Sequence, residues 1–318
     1  MILAALGLAI SATTGVAQVS ETGSIGGFEA KFIDVNGIRT RYYEVGQGEP
    51  MILVHGSGFS GSASANTWVP VLADLGERFH VYAPDKLASG MTDNPPDDRD
   101  ISLEGEVRHM VEFIRTLGHD SVHLVGQSRG GGLTFLLSVE HPEMVRTHVI
   151  VDSETAAPEV GDYEERREAA TGRCRDLSGA DQVRCGWEAL SYDPSHVTDE
   201  FVAAGAYMDA LPKSEETQSR MWSGGNNPYL TPWKDAVHAR VKNDGILQMP
   251  TLIYWGRNDP TAWLPSGLAL FDVIAEKNPR VRMIIVNKAG HFHYREYPEE
   301  FARNVINFID QWAPSGSH

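Results

Sequence analysis

The chain is poor in cysteine and in positive charge. Two cysteines stand among 318 residues, too few for a disulfide-dense scaffold or a Cys-rich structural zinc site. Lysine and arginine number 27 against 43 aspartates and glutamates, a formal net charge of -16 at pH 7. Such a balance repels phosphate backbones and anionic bilayers, which argues against general nucleic-acid binding and membrane adsorption. There is no phosphate-binding glycine loop, nicotinamide fingerprint or metal-ligand cluster, so no cofactor and no metal is expected. Internal repeats and low-complexity tracts are absent too.

What is there suits one large globular domain with an insertion: 42% hydrophobic and 22% charged residues. Residues 1–19 carry no charged side chain and are mostly apolar, ending in a small-residue stretch with Gly15 and Ala17. This reads as a signal peptide, although no Lys or Arg precedes the apolar run. It is too short and too broken for a spanning helix. The expected location is secreted or periplasmic, with the cytoplasm as the alternative. Cys174 and Cys185 flank Leu177-Ser178-Gly179, a helix break. In an exported chain they would close a disulfide across that hairpin; in a cytosolic chain they would be two separate buried thiols.

Past the N-terminus, strands alternate with helices. Residues 30–35 and 39–45 read as strands joined at Asn36-Gly37, a hairpin signal. Short apolar runs at 51–54, 79–83, 122–125, 145–151, 251–255 and 282–286 read as further strands. Helical spacing marks 102–117, a segment after Gly130 running to Glu140, and stretches near 265–277 and 298–312. The pattern predicts an α/β fold with a mostly parallel sheet covered by helices on both faces. Residues 155–247 are charged, helix-like and without a convincing buried strand. They read as a helical cap inserted between core segments 29–154 and 248–313.

Three residues carry the chemistry. Gly126-Gln127-Ser128-Arg129-Gly130 matches G-x-S-x-G, with an apolar strand before it and a helix after it. That context makes Ser128 the candidate nucleophile, which needs a general base. His291 follows the last strand in Lys288-Ala289-Gly290-His291 and is the preferred base over His293. Asp259, after the preceding strand, is the acid that would orient it, with Asp152 as a substitute. The backbone N–H groups of Arg129 and Ser57, the latter in His55-Gly56-Ser57-Gly58, are expected to form the oxyanion hole. Each such donor is worth roughly 3–4 kcal/mol.

With these motifs the chain, from residue 31 to 312, resembles an α/β-hydrolase. His55-Gly56-Ser57-Gly58-Phe59 followed by Asn66-Thr67-Trp68 is similar to the meta-cleavage-product hydrolases, which cleave C–C bonds in dienoic acids from aromatic-ring breakdown. That resemblance implies substrate contacts from Asn66 and from Gln127, which stands where the family usually has Asn. Four features depart from the pattern. Phe292 replaces the usual Trp after the catalytic His, residues 200–208 lack the family's carboxylate-binding Arg, Arg129 stands beside the nucleophile, and the loop after Asp85 reads Lys86-Leu87-Ala88-Ser89-Gly90. These departures bring the chain nearer to the related monoalkyl phthalate ester hydrolases. The expected activity is therefore a serine esterase acting through an acyl-enzyme on a small, anionic aromatic ester, with C–C hydrolysis of a meta-cleavage dienoate as the alternative. A ligand-sensing member without turnover is a minor third. Arg129 would grip a substrate carboxylate, unless it sits in a structural ion pair with a cap carboxylate. Phe292 and Trp222 are further candidate substrate contacts; Trp187, Tyr192, Tyr207, Met208 and Met221 are candidate pocket walls. The expected partner is a small-molecule substrate, with a homo-oligomer left open.

Overall fold

The computed structural model describes residues 19–221 and 231–312. The strands are β1 (Lys31–Val35), β2 (Ile38–Val45), β3 (Glu49–Val54), β4 (Phe79–Pro84), β5 (Val122–Gln127), β6 (Val145–Val151), β7 (Thr251–Gly256) and β8 (Val281–Val286). They form one sheet in the order β1-β2-β4-β3-β5-β6-β7-β8. The first two pairings are antiparallel and all from β4 onward are parallel. The hairpin turns at Asn36 and Gly37, both at positive φ.

The central strands are continuous apolar runs because both faces are covered. Successive residues still point to opposite sides. Ile52, Leu124, Ile150 and Ile253 join a core with helices α2 (Leu103–Thr116), α3 (Arg129–Glu140) and α9 (Leu264–Ala275). Their neighbours Leu53, Val125, Val149 and Leu252 join a second core with α1 (Val69–Gly76) and α11 (Pro298–Trp312).

Between β6 and β7 the described residues contain helices and no strand: α4 (Tyr163–Thr171), α5 (Gly179–Leu190), α6 (Asp199–Asp209), α7 (Pro212–Arg220) and α8 (Lys234–Ala239). A Cys174–Cys185 disulfide ties the turn after α4 to α5. The short helix α10 (His293–Glu296), which periodicity did not reveal, follows the histidine loop. This helical segment between β6 and β7, expected above as the cap, is bonded to that loop. His291 N donates to Leu190 O at 2.8 Å. Glu296 accepts from the backbone N–H groups of Tyr192, Asp193 and Gly290. Arg295 donates to Thr67 O and His196 O, joining core to cap. Among the described residues no helix is long and apolar enough to cross a membrane. The signal-peptide reading covers residues 1–19, of which 1–18 lie outside the described residues, as does Trp222.

Candidate active site

The site forms where the parallel strands end. Chain leaves β5 at Gln127, and Ser128 takes φ 53° and ψ -123° before α3 begins at Arg129. A positive φ at a serine is strained and must be held by its surroundings. The Ser128 N–H donates to Val151 O at 2.8 Å, and Ser153 Oγ donates to Ser128 O at 2.5 Å. Two glycines make the turn possible. A Cβ on Gly126 would lie 2.4 Å from Gly130 O, and one on Gly130 would lie 2.3 Å from His55 O. The result is a half-buried, solvent-reachable Ser128 on an otherwise buried strand end.

β7 and β8 deliver the other two groups. His291 Nδ1 lies 2.5 Å from Asp259 Oδ2. The remaining carboxylate oxygen, Asp259 Oδ1, accepts from Thr261 N at 2.8 Å, Thr261 Oγ1 at 3.0 Å and Ala262 N at 2.9 Å. Burial pushes the His291 ring toward its neutral form, but the Asp259 charge and hydrogen bond outweigh it, and the pKa is raised above the ordinary 6.5. Gln127 Nε2 donates to His291 O at 3.1 Å, so the residue before Ser128 holds the histidine loop.

A second acid–imidazole pair lies on the neighbouring strand ends. Asp152, after β6 at φ 42°, accepts from Gly256 N at 2.7 Å through Oδ1. Its Oδ2 is 3.0 Å from His293 Nε2, an ion-pair distance, while that N–H is aligned on Tyr254 O at 3.3 Å. Burial raises the Asp152 pKa. The two pairs are thus separate: Asp259 with His291, and Asp152 with His293.

The loop after β3 supplies the other wall. His55 is buried; Lys86 N donates to its Nε2 at 3.0 Å, so Nδ1 carries the proton and donates to Gly56 O at 2.8 Å. Peptide planarity then sends the Ser57 N–H away from that carbonyl. Ser57 itself has φ 62°, and a Cβ on Gly56 would lie 2.8 Å from Ser128 Cβ, which puts this loop against the elbow.

The structure redirects several expected substrate contacts. Arg129 does not extend freely toward a ligand: its Nε lies 3.1 Å from Glu106 Oε2, and its guanidinium lies over Phe59. Its acid comes from α2 of the core, not from the cap. Asn66 is buried in a network the motif did not reveal. Its Oδ1 accepts from Arg41 Nη2 and Tyr43 Oη, and its Nδ2 donates to Gly23 O. Arg41 in turn pairs with Asp85 at 3.0 Å. Gln127 spends its amide on the His291 carbonyl. Phe292 stacks on Trp187 with ring centroids 4.0 Å apart, sealing cap to core. Tyr192 is surface-exposed, whereas Met208 and Met221 are buried. Among the described residues no group of three or more His, Cys, Asp or Glu could hold a metal.

Comparison with known proteins agrees with this architecture. The alpha/beta hydrolase family model matches residues 51–304, and the chain belongs to that family. It is similar to the 2-hydroxy-6-oxo-6-(2'-aminophenyl)hexa-2,4-dienoic acid hydrolase of Metapseudomonas resinovorans, with 26% identity over 93% of this chain and 96% of the relative. It is also similar to the 2-hydroxymuconate semialdehyde hydrolase of Pseudomonas sp. strain CF600, with 28% identity over 86% of this chain and 91% of the relative. Among solved structures, the meta-cleavage product hydrolase CumD from Pseudomonas fluorescens IP01 superposes with a TM-score of 0.71 at 26% identity, covering 88% of this chain and 97% of that one.

Proposed function

We propose that the protein is a serine hydrolase that cleaves a C–C bond in a dienoate of the meta-cleavage type. The observation that carries the chemistry is the 2.5 Å contact between His291 and Asp259 on the two strand ends beyond the elbow serine. The substrate class is supported by relatives whose names specify such dienoates and which match most of both chains. In this reading His291 first helps move the dienol proton to carbon, giving the keto form. Ser128 Oγ then adds to the carbonyl while His291 takes its proton, and the Ser57 and Arg129 N–H groups hold the oxyanion. The C–C bond breaks as His291 returns the proton to the departing carbon. Water then cleaves the acyl-enzyme and releases the acid.

One observation favours ester hydrolysis as a second reading. Helix α6, DEFVAAGAYMD, contains no Lys or Arg, and Arg129 is engaged by Glu106. A neutral carboxylic ester needs no such cation, whereas a monoalkyl phthalate would. The deciding assay compares kcat/KM on a 2-hydroxy-6-oxohexa-2,4-dienoate, p-nitrophenyl butyrate and a monoalkyl phthalate. The dienoate is expected to lead by tenfold or more. An inert dienoate with rapid ester turnover would overturn the C–C reading in favour of the esterase.

A further inference from the structure

Three ionisable side chains are packed together behind the candidate oxyanion hole. Lys86 Nζ lies 3.0 Å from Glu106 Oε1, and Arg129 Nε lies 3.1 Å from Glu106 Oε2. The Lys86 and Glu106 side chains have 0% exposure and that of Arg129 has 7%. Lys86 Nζ also donates to Ser57 O at 2.9 Å. Lys86 therefore grips both peptide groups that flank the Ser57 Cα. Its backbone N–H holds His55, which holds Gly56 O, and its ammonium holds Ser57 O.

Ser57 and Arg129 lie on different loops, one after β3 and one after β5, and each offers one N–H to the candidate oxyanion hole. Their spacing is not set by any ladder hydrogen bond, because both strands have ended. We propose that Lys86, Glu106 and Arg129 form a buried charged bracket that holds these two donors in register, with Glu106 as the bridge and Lys86 and Glu106 acting as positioning residues. The proposal rests on the serine-hydrolase reading above but not on its substrate class.

Two physical points support it. A non-glycine residue at φ 62° stays there only if its surroundings over-determine it, and Lys86 supplies that restraint on both sides of Ser57. Moreover, a buried ionic cluster is seldom more stabilising than apolar groups of the same volume. Three desolvated charges at this spot are poorly explained by stability, whereas their hydrogen-bond directions fix two loops relative to each other.

The same point supplies the test. The triple variant Lys86→Met, Glu106→Leu, Arg129→Met replaces the bracket with apolar groups of similar size and retains the backbone N–H at position 129. It is compared with the wild type and with Lys86→Met alone, using p-nitrophenyl butyrate and phenylboronic acid, whose boron would become tetrahedral on Ser128. The expected result for the triple variant is an undiminished Tm, kcat lowered about 10- to 100-fold with little change in KM, and boronate affinity lowered by a similar factor. Butyrate, which develops no tetrahedral oxyanion, should bind both proteins equally. The single variant should show the same kcat loss even if its Tm falls. Wild-type kcat and boronate affinity in a folded triple variant would overturn the bracket. A wild type that neither turns over the ester nor binds the boronate would overturn the serine-hydrolase reading beneath it.

Discussion

Asp259→Asn keeps the size of the side chain and removes one charge, and the hydrogen bonds around it dictate which way the new amide faces. Oδ1 of Asp259 is surrounded by three donors: Thr261 N, Thr261 Oγ1 and Ala262 N. Turning an NH2 group toward them would set donors against donors, at about 1–3 kcal/mol for each buried group left unsatisfied. The amide oxygen therefore stays, and the NH2 faces His291 Nδ1, 2.5 Å from the wild-type oxygen. The imidazole must then accept at Nδ1 and carry its proton on Nε2, so the nitrogen left for Ser128 is no longer a base. The equivalent tautomer trap in the Ser-His-Asp proteases lowers kcat by about 10⁴, or roughly 5.5 kcal/mol. The assay is the pre-steady-state burst of p-nitrophenol from p-nitrophenyl butyrate, with Asp152→Asn as the comparison. Asp259→Asn should lose the burst while keeping its fold by circular dichroism. Asp152→Asn, whose carboxylate faces Gly256 and His293, should retain most of it. A burst rate within tenfold of wild type in Asp259→Asn, or a larger loss in Asp152→Asn, would refute the assignment of the acid.

The pH dependence follows from His291. Its raised pKa places the acid limb of kcat/KM above pH 6.5, because the base must be neutral to act. The His291–Asp259 contribution to stability is fully present below the unfolded imidazole value and is lost as pH rises through the folded one, so a stability–pH curve should decline across that window. Reduction of Cys174–Cys185, which are 11 residues apart, should cost roughly 2–3 kcal/mol in a urea titration, with catalysis by the folded fraction preserved. Asp85→Asn breaks the buried pair with Arg41 and should lower stability by about 3–5 kcal/mol; an unchanged urea midpoint would count against it.

The placement of Ser128, Asp259 and His291 beyond strand ends was legible because each sits beside a local signal. An apolar strand ends, a glycine or turn residue follows, and the candidate side chain stands there. The central strands were legible for the same reason. Side-chain direction was not. Arg129 was visible as a cation beside the nucleophile, but its partner Glu106 lies 23 residues earlier. A signal did exist. Glu106 falls three residues after Leu103 and four before Met110, on the buried face of α2. An acid on an apolar stripe requires a cation, and here Lys86 and Arg129 supply it. The network around Asn66 was not legible because its partners Arg41 and Tyr43 lie on β2, 25 and 23 residues away in sequence. Asp152 and His293 were each weighed as substitutes in the first pair; only the three-dimensional arrangement brings them together as a second.

The charged side chains near the strand ends share one task. Loops that leave a parallel sheet lose their ladder partners, yet a buried N–H or C=O must still be satisfied. Here carboxylates take the donors: Asp85 accepts from Ala65 N and Met91 N, Asp152 from Gly256 N, Asp259 from Thr261 N and Ala262 N, and Glu296 from Tyr192 N, Asp193 N and Gly290 N. Cations take the acceptors: Lys86 donates to Ser57 O, and Arg295 to Thr67 O and His196 O. Each bond to an ionised group is worth about 1.5–3 kcal/mol, roughly twice a neutral one. The loops are thereby fixed by side chains where secondary structure has ended, and loop variation remains open at positions that make none of these bonds. Removing one such bond should therefore loosen a single loop, seen as faster local amide exchange at Ser57 or Gly290, in addition to any fall in the unfolding midpoint.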